Sequence, residues 1–192
     1  MNPIIFKIIE FIILLVFAIS ISDFRMKKGM VPLINKKLIL VLKLSYFVPI
    51  CIYVYTLVIL NNLLIFDFIA LILTFFGTLL VVKAKIDIGE YHSWTGYQLH
   101  PTKITTKGIY SFIRHPLYTG IYIFIFGGLS TTIPHTPLYL LTIAIITLIY
   151  IMIFLAATAV RETKFLIKEF GEEFLKYQMQ VHSFLPLKKF KS

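Results

Sequence analysis

A short stretch at the start of an apolar run, GIYSFIRHPLYTG at Gly108–Gly120, combines ionisable and aromatic side chains. Arg114 and His115 directly precede Pro116, and Tyr118 follows. Ionisable groups are costly at a membrane boundary unless they pair, reach water or bind a ligand. Two interpretations stay open at this point. Either Pro116 begins a helix that Arg114 anchors at the lipid headgroups, or the polar residues form the mouth of a binding pocket.

A second polar pair, Arg161 and Glu162, lies where the last apolar run ends. If the last two apolar runs form a helical hairpin, this pair becomes a neighbour of Arg114 and His115. Two arginines and one carboxylate at the same membrane mouth require pairing or a ligand. The pattern therefore indicates either a structural Arg–Glu bridge or a site for a polar ligand.

After Arg114 and His115, aromatic side chains continue along the apolar run that follows. Tyr118 and Tyr122 are one helical turn apart, with Phe126 a turn deeper, and this stripe either lines a pocket or faces lipid. Gly120 lies on the opposite face, where a second helix can approach closely. No metal site is expected, because the five histidines lack i, i+3 or i, i+4 pairs and the single cysteine, Cys51, lies in an apolar run.

The composition places these residues in a membrane protein. Of the 192 residues, 58% are hydrophobic and 15% are charged, whereas soluble domains carry about 25% charged residues. About 20 apolar residues cross a bilayer as a helix. We therefore predict an all-α integral membrane protein of one domain with five transmembrane helices, at residues 3–21, 38–60, 63–82, 117–133 and 137–160.

The chain has two parts in this prediction. Residues 1–82 hold the first three helices, and residues 83–192 hold the polar groups, the last two helices and a tail. Helical spacing over residues 161–180 predicts a tail helix that Gly171 interrupts. Pro49 predicts a kink in the second transmembrane helix.

Two acidic residues in the predicted helices also suggest local contacts. Glu10 follows Lys7 by three residues, a spacing that allows the two to pair on one face of the first helix. Asp67 lies in the first turns of the third helix, where the helix dipole favours an anion.

The formal net charge of +10 is unevenly distributed. Eighteen of the 19 Lys and Arg residues fall in residues 23–43, 83–114 and 161–192, which lie on one side of a bundle of five helices, and only Lys7 lies near the other side. The positive-inside rule then predicts a multi-pass integral membrane protein, in the cell membrane if the source is a prokaryote, with its N-terminus outside and its tail in the cytosol. Topology thus explains the charge, and nucleic-acid binding is not expected.

The polar groups and the tail together resemble the isoprenylcysteine carboxyl methyltransferase family, whose relatives include phospholipid N-methyltransferases. The family pattern is Gly-x-Tyr, Arg-His-Pro-x-Tyr-x-Gly, Glu-Glu, then Phe-Gly-x-x-Tyr/Phe-x-x-Tyr and a later Pro. The residues that match this pattern are Gly108, Tyr110, Arg114, His115, Pro116, Tyr118, Gly120, Glu162, Phe170, Gly171, Phe174, Tyr177 and Pro186. In one departure, Thr163 stands where the family has the second Glu.

The resemblance implies a membrane methyltransferase that uses S-adenosylmethionine, bound from the cytosol at the mouth of the hairpin of the last two transmembrane helices. Its implied substrate is a lipidic or prenylated small molecule or a prenylated protein C-terminus. The implied cofactor-binding residues are Tyr110, His115, Pro116, Tyr118, Tyr122 and Glu162. The implied catalytic residues are Arg114, His115 and Arg161.

Within this interpretation, Glu162 suits the ribose hydroxyls or the amine of the cofactor, and His115 suits its amino-acid end. Tyr118 and Tyr122 could face the sulfonium through cation–π attraction, worth about 0.5–2 kcal/mol. Arg114 or Arg161 suits an acidic acceptor.

The expected reaction is O-methylation of an isoprenylcysteine carboxylate or a similar acid. A carboxylate is already ionised at neutral pH, whereas an amine or thiol must lose a proton, for which His115 is the first candidate base. The alternatives are N-methylation of an ethanolamine phospholipid, S-methylation of a small thiol, a reductase of the sterol-reductase kind and a membrane protein without enzymatic activity. Membrane lipids are the other expected partners, and the sequence does not indicate an oligomeric state.

Overall fold

The computed structural model describes residues 1–22 and 27–184. Its α-helices are α1 (Pro3–Ile21), α2 (Lys36–Ser45), α3 (Phe47–Ile59), α4 (Ile65–Ile88), α5 (Pro116–His135), α6 (Leu138–Phe170) and α7 (Glu172–Gln180). A short strand, β1 (Met30–Pro32), pairs antiparallel with β2 (Tyr97–Leu99). Arg25 of the first basic segment and Pro186 of the tail motif lie outside the described residues.

Five helical segments of the described chain are long and apolar enough to span a membrane, which confirms the predicted fold class and number of spans. The bounds differ most near the polar groups. α4 continues to Ile88 rather than ending at residue 82, and α6 runs without interruption to Phe170 rather than ending at residue 160. An apolar span and a following amphipathic segment have the same backbone geometry, so hydropathy alone does not show that one helix continues into the other.

The second span consists of α2 and α3, which are separated at Tyr46. Pro49 lies three residues after this break, and its missing N–H cannot bond the carbonyl of Ser45. The predicted kink therefore occurs about one turn before the proline. Gly171, with a φ of 52°, ends α6 where the sequence predicts an interruption, and α7 begins at the next residue.

The most extensive helix contact joins α4 to α5 and depends on glycines. A Cβ atom at Gly77 would lie 2.6 Å from the backbone nitrogen of Phe124. One at Gly120 would lie 2.7 Å from Cγ2 of Val81 and 2.8 Å from the carbonyl oxygen of Gly77. Neither position has room for a side chain. The close approach predicted at Gly120 is therefore made by α4, which holds the first turns of α5 in place.

The spacing of Lys7 and Glu10 predicts a pair on one face of α1, and the structure shows that this prediction is wrong. The Glu10 carboxylate is fully buried and accepts hydrogen bonds from Tyr53 Oη at 2.9 Å and from Thr74 Oγ1 at 3.0 Å. Lys7 Nζ donates instead to the carbonyl of Val58 at 2.9 Å. Because a pair within one helix contributes only about 0.2–0.5 kcal/mol, hydrogen bonds from neighbouring helices decide where a buried carboxylate goes.

Asp67 occupies the first turn of α4, as predicted, and joins it to the end of α5. Its Oδ2 accepts a hydrogen bond from the backbone nitrogen of Leu64 at 2.7 Å and lies 3.0 Å from His135 Nε2. The loop between α5 and α6 is therefore fixed at this end of the bundle.

At the opposite end, the segment between α4 and α5 packs against the chain that follows α7. Ile113 forms a parallel bridge with His182. The backbone nitrogen of Arg114 donates to the carbonyl of His182, and that of His115 donates to Ser183, both at 2.9 Å. These contacts gather the polar residues around the start of α5.

Candidate functional site

Three side chains, two from the start of α5 and one from α6, contact one another. Tyr118 Oη donates to Glu162 Oε1 at 2.5 Å, and His115 Nδ1 lies 3.4 Å from Glu162 Oε2. The rings of His115 and Tyr118 are stacked, with centroids 5.8 Å apart. The side chains of His115 and Glu162 are 9% and 15% exposed, so the group is sheltered but still reachable. We call it the His–Tyr–Glu group.

The local sequence explains why His115 lies there. Pro116 is the first residue of α5, where its missing N–H costs no helical hydrogen bond. A residue before proline is kept out of the helical region, and His115 accordingly has a φ of −122° and a ψ of 60°. His115 thus ends the loop, and Tyr118 follows within the first turn of the helix.

Arg114 is held by the chain that follows α7. Its Nε donates to the carbonyl of Val181 at 3.0 Å, and its Nη2 donates to Ser183 Oγ at 2.6 Å. Its Nη1 is buried and has no hydrogen-bond partner among the described residues. Burial lowers the pKa of Arg114, but from so high an ordinary value that the guanidinium stays charged at neutral pH. An unsatisfied buried donor on a cation favours an anionic ligand.

Two of the site residues predicted from the sequence make contacts away from the His–Tyr–Glu group. Arg161 Nη1 donates to the carbonyl of Leu33 at 3.1 Å, beside β1. Tyr122 Oη donates to the carbonyl of Met152 at 3.0 Å, within the contact between α5 and α6. Consecutive residues of a helix point about 100° apart, which is why Glu162 reaches His115 and Arg161 does not.

An open cleft adjoins the His–Tyr–Glu group and encloses about 830 Å³, part of it open to solvent. Ligand pockets commonly enclose about 300–1,000 Å³. Five sequence-predicted site residues line this cleft: Tyr110, Arg114, His115, Tyr118 and Glu162. Pro116, Tyr122 and Arg161 are not among its lining residues.

The cleft also uses residues that were not predicted as site residues. Phe174 and Tyr177 of α7 line it, and Tyr177 Oη donates to the carbonyl of Tyr110 at 2.6 Å. Both belong to the tail motif, so a signal for them was present. Gln98 of β2 and Thr102 of the irregular segment that follows it line another wall, and the sequence around them carries no such signal.

Burial keeps the phenols of the cleft protonated. It raises the pKa of Tyr110, with a further contribution from the nearby Glu162 carboxylate. Burial also raises the pKa of Tyr177. At neutral pH both phenols are neutral, and the hydroxyl of Tyr177 can donate its hydrogen bond to the backbone carbonyl of Tyr110.

Residues 65–173 match the family model described as phospholipid methyltransferase. The match covers 109 of the 192 residues, counting from 65 through 173, and includes every predicted site residue. The chain belongs to the phospholipid methyltransferase family. The family resemblance expected from the Arg-His-Pro motif and the tail motif is thereby confirmed.

A curated relative supports the same class of protein. Over 94 residues the chain is 30% identical to methanethiol S-methyltransferase 1 of Bradyrhizobium diazoefficiens. The aligned region is 49% of this chain and 30% of that relative's length. The family match and this relative agree on a membrane methyltransferase, and they name different methyl acceptors.

Thr163 replaces the second Glu of the expected pair in this member of the phospholipid methyltransferase family. Its Oγ1 lies 3.4 Å from His115 Nε2, on the other side of the ring from Glu162. The imidazole of His115 is therefore placed between one carboxylate and one hydroxyl. Among the described residues that line the cleft, Glu162 is the one that offers a carboxylate to a ligand.

Proposed function

We propose that this chain is a membrane-embedded methyltransferase that depends on S-adenosylmethionine and acts on a lipidic acceptor. The observation that carries the proposal is the His–Tyr–Glu group, which opens into a polar cleft where transmembrane helices end, in a chain of a methyltransferase family. A water-soluble cofactor and a lipidic acceptor can meet only at such a boundary. In the predicted orientation, the cofactor enters from the cytosol.

The residues of the cleft fit the polar groups of S-adenosylmethionine. Arg114 Nη1, a buried donor without a partner in the described chain, suits the cofactor's carboxylate. Glu162 has acceptor capacity for ribose hydroxyls or the amine. Tyr118 and Tyr110 offer aromatic surface for the sulfonium or the adenine. Arg114 is thereby assigned to the cofactor rather than to the acceptor.

When bound, S-adenosylmethionine supplies a methyl group whose bond to sulfur breaks as the acceptor's lone pair forms the new bond, with S-adenosylhomocysteine as the second product. The chain contributes chiefly position and shelter from water. Glu162 holds the rings of His115 and Tyr118 in one orientation through contacts of 3.4 and 2.5 Å. If the acceptor carries a proton, His115 can accept it at Nε2, while its Nδ1 lies 3.4 Å from Glu162 Oε2.

The acceptor we favour is an acid, such as an isoprenylcysteine carboxylate, which needs no base. The family description supports a second candidate, an ethanolamine phospholipid methylated on nitrogen. The relative's name supports a third, a small thiol methylated on sulfur. Family membership argues against the reductase and the non-enzymatic alternatives.

Binding of S-adenosylhomocysteine to the purified protein tests the proposal. Isothermal titration calorimetry should detect binding to the wild type. Glu162→Gln should weaken it about ten- to a hundredfold, because charge-assisted hydrogen bonds contribute about 1.5–3 kcal/mol. Glu169→Gln is the matched control: Glu169 lies on the same helix, 3.7 Å from His100, and does not line the cleft.

Transfer of a labelled methyl group into native lipid extract, followed by identification of the product, then determines the acceptor. Absence of S-adenosylhomocysteine binding by folded wild type would contradict the proposed function. Equal weakening by Glu162→Gln and Glu169→Gln would remove Glu162 from the cofactor site.

A further inference from the structure

Two carboxylates, Glu10 of α1 and Asp67 of α4, are fully buried in the half of the bundle that lies away from the cleft. Ionisable side chains inside membrane-spanning helices are costly, and they commonly mark the path or the binding site of an ion. Among the described residues, the basic side chain that pairs with either carboxylate is His135, whose Nε2 lies 3.0 Å from Asp67 Oδ2. The two carboxylates thus share one basic partner, which is charged only when it is protonated.

Hydroxyl groups surround the first of these carboxylates and connect it to the second. Glu10 accepts hydrogen bonds from Tyr53 of α3 and from Thr74 of α4. Thr74 lies two turns from Asp67 on the same face of α4, about 10 Å along the helix axis. Glu10 and Asp67 are close enough to repel each other. Their charges therefore belong to one polar region between α1, α3, α4 and α5.

Two buried oxygen atoms in this region, Asp67 Oδ1 and Thr131 Oγ1, have no hydrogen-bond partner among the described residues. The direction of Thr131 follows from its neighbours on α5. One turn before it, a Cβ atom at Gly127 would lie 2.8 Å from the backbone nitrogen of Thr74. One turn after it, His135 contacts Asp67. Thr131 therefore faces α4 between Thr74 and Asp67, and its hydroxyl is directed into the polar region.

The chemistry of these groups favours a small cation. A carboxylate and a hydroxyl that are buried without partners are costly, and a positively charged ligand satisfies both. The atoms that face the region are oxygens, which hard cations prefer. The described chain holds no group of three or more His, Cys, Asp and Glu side chains that could hold a metal ion, which argues against a transition metal. A monovalent cation needs fewer charged ligands.

We propose that the bundle binds one sodium ion between Asp67 Oδ1 and Thr131 Oγ1, with the Glu10 carboxylate supplying further negative charge. The ion offsets the repulsion between the two carboxylates and joins α4 to α5. His135 is 14% exposed and Asp67 is not exposed, so an ion can enter beside the loop between α5 and α6. The sodium site lies apart from the cleft and does not rest on the proposed function.

Thermal unfolding of the full-length protein in detergent tests the site. The melting temperature is measured in the chlorides of sodium, potassium and N-methyl-D-glucamine at equal ionic strength and at pH 8. Sodium should raise it by about 3–6 °C at ten times the dissociation constant, and the rise should saturate and exceed that in potassium. Equilibrium dialysis of the wild type with radioactive sodium should find one ion bound per chain.

Substitutions at two adjacent threonines identify the ligand. Thr131→Val removes one hydroxyl with little change in volume and should weaken sodium binding about tenfold. Thr132→Val is the matched control, because Thr132 is also buried and its hydroxyl already donates to the carbonyl of Gly128 at 2.8 Å. This control should keep the sodium affinity of the wild type. Asp67→Asn should abolish sodium binding, and the threonine pair and the wild-type dialysis test the site even where Asp67→Asn does not fold.

The outcomes separate the sodium site from the proposed function. Equal melting temperatures in the three salts, no sodium bound in dialysis, or equal sodium affinity of Thr131→Val and Thr132→Val overturns the site. A melting temperature that depends on pH and not on sodium also overturns it, and indicates a proton on a carboxylate instead. Saturable sodium binding that depends on Thr131, in protein that does not bind S-adenosylhomocysteine, supports the sodium site and contradicts only the methyltransferase.

Discussion

Alanine substitutions at two glycines of α5 should change the stability of the chain in opposite directions. A Cβ atom at Gly120 would lie 2.7 Å from Val81 Cγ2, 2.8 Å from the carbonyl oxygen of Gly77 and 2.9 Å from the backbone nitrogen of Val81. Two of these three neighbours are backbone atoms, so α4 and α5 must separate to admit the methyl group. At Gly128 the nearest atoms are those of the Tyr53 ring, at 3.9 Å, which is ordinary contact.

The expected magnitudes follow from these distances. Overpacking costs about 1–3 kcal/mol, and the contacts at Gly120 place it at the upper end. Alanine gains about 1 kcal/mol over glycine inside a helix. Gly120→Ala should therefore destabilise by about 2 kcal/mol, and Gly128→Ala should stabilise by up to about 1 kcal/mol. For a chain of this length, each kcal/mol corresponds to about 2–4 °C in melting temperature.

Thermal unfolding in one detergent, followed by fluorescence, measures both variants against wild type. Gly120→Ala should also weaken binding of S-adenosylhomocysteine, because Gly120 lies in the first turns of α5 with Tyr118, directly after His115 at the N-cap. Two results refute the reasoning. The first is a Gly120→Ala protein with the melting temperature of the wild type. The second is an equal loss of stability in Gly120→Ala and Gly128→Ala, which would indicate that α5 tolerates no alanine at either glycine, whatever its distance from α4.

Two further predictions concern topology and the acceptor. In a Cys51→Ala background, a membrane-impermeant thiol reagent should label Asn62→Cys and not Lys107→Cys in intact cells, because the basic segments are predicted to lie in the cytosol; the reverse labelling would invert the orientation. For an acidic acceptor, His115→Gln should weaken cofactor binding without changing the shape of the pH–rate profile, since no proton leaves the acceptor. If the rate of the wild type falls at low pH and that fall is lost in the mutant, with titration of the substrate excluded, His115 is a base for an amine or thiol.

Five residues of the cleft were predictable because their signals are local. His115, Pro116 and Tyr118 are neighbours in sequence at a helix start. Glu162 directly follows the last apolar run, and a hairpin of the last two helices brings the end of that run to the start of α5. The pairing of Arg114 with Val181 and Ser183 was not predictable, because it depends on where the tail returns after α7. The cavity between α1, α2, α5 and the segment before β2 is likewise formed by parts of the chain that are distant in sequence.

The sequence by itself determined the five spans and the break at Gly171, because apolar length and backbone freedom act over a few neighbouring residues. It also determined the family, which the match of residues 65–173 to the family model confirms. Only the tertiary structure decided the partners of the ionisable groups. Glu10 took Tyr53 and Thr74 rather than Lys7, since a buried carboxylate is satisfied by whichever donors packing brings to it, and sequence spacing does not encode which helices meet.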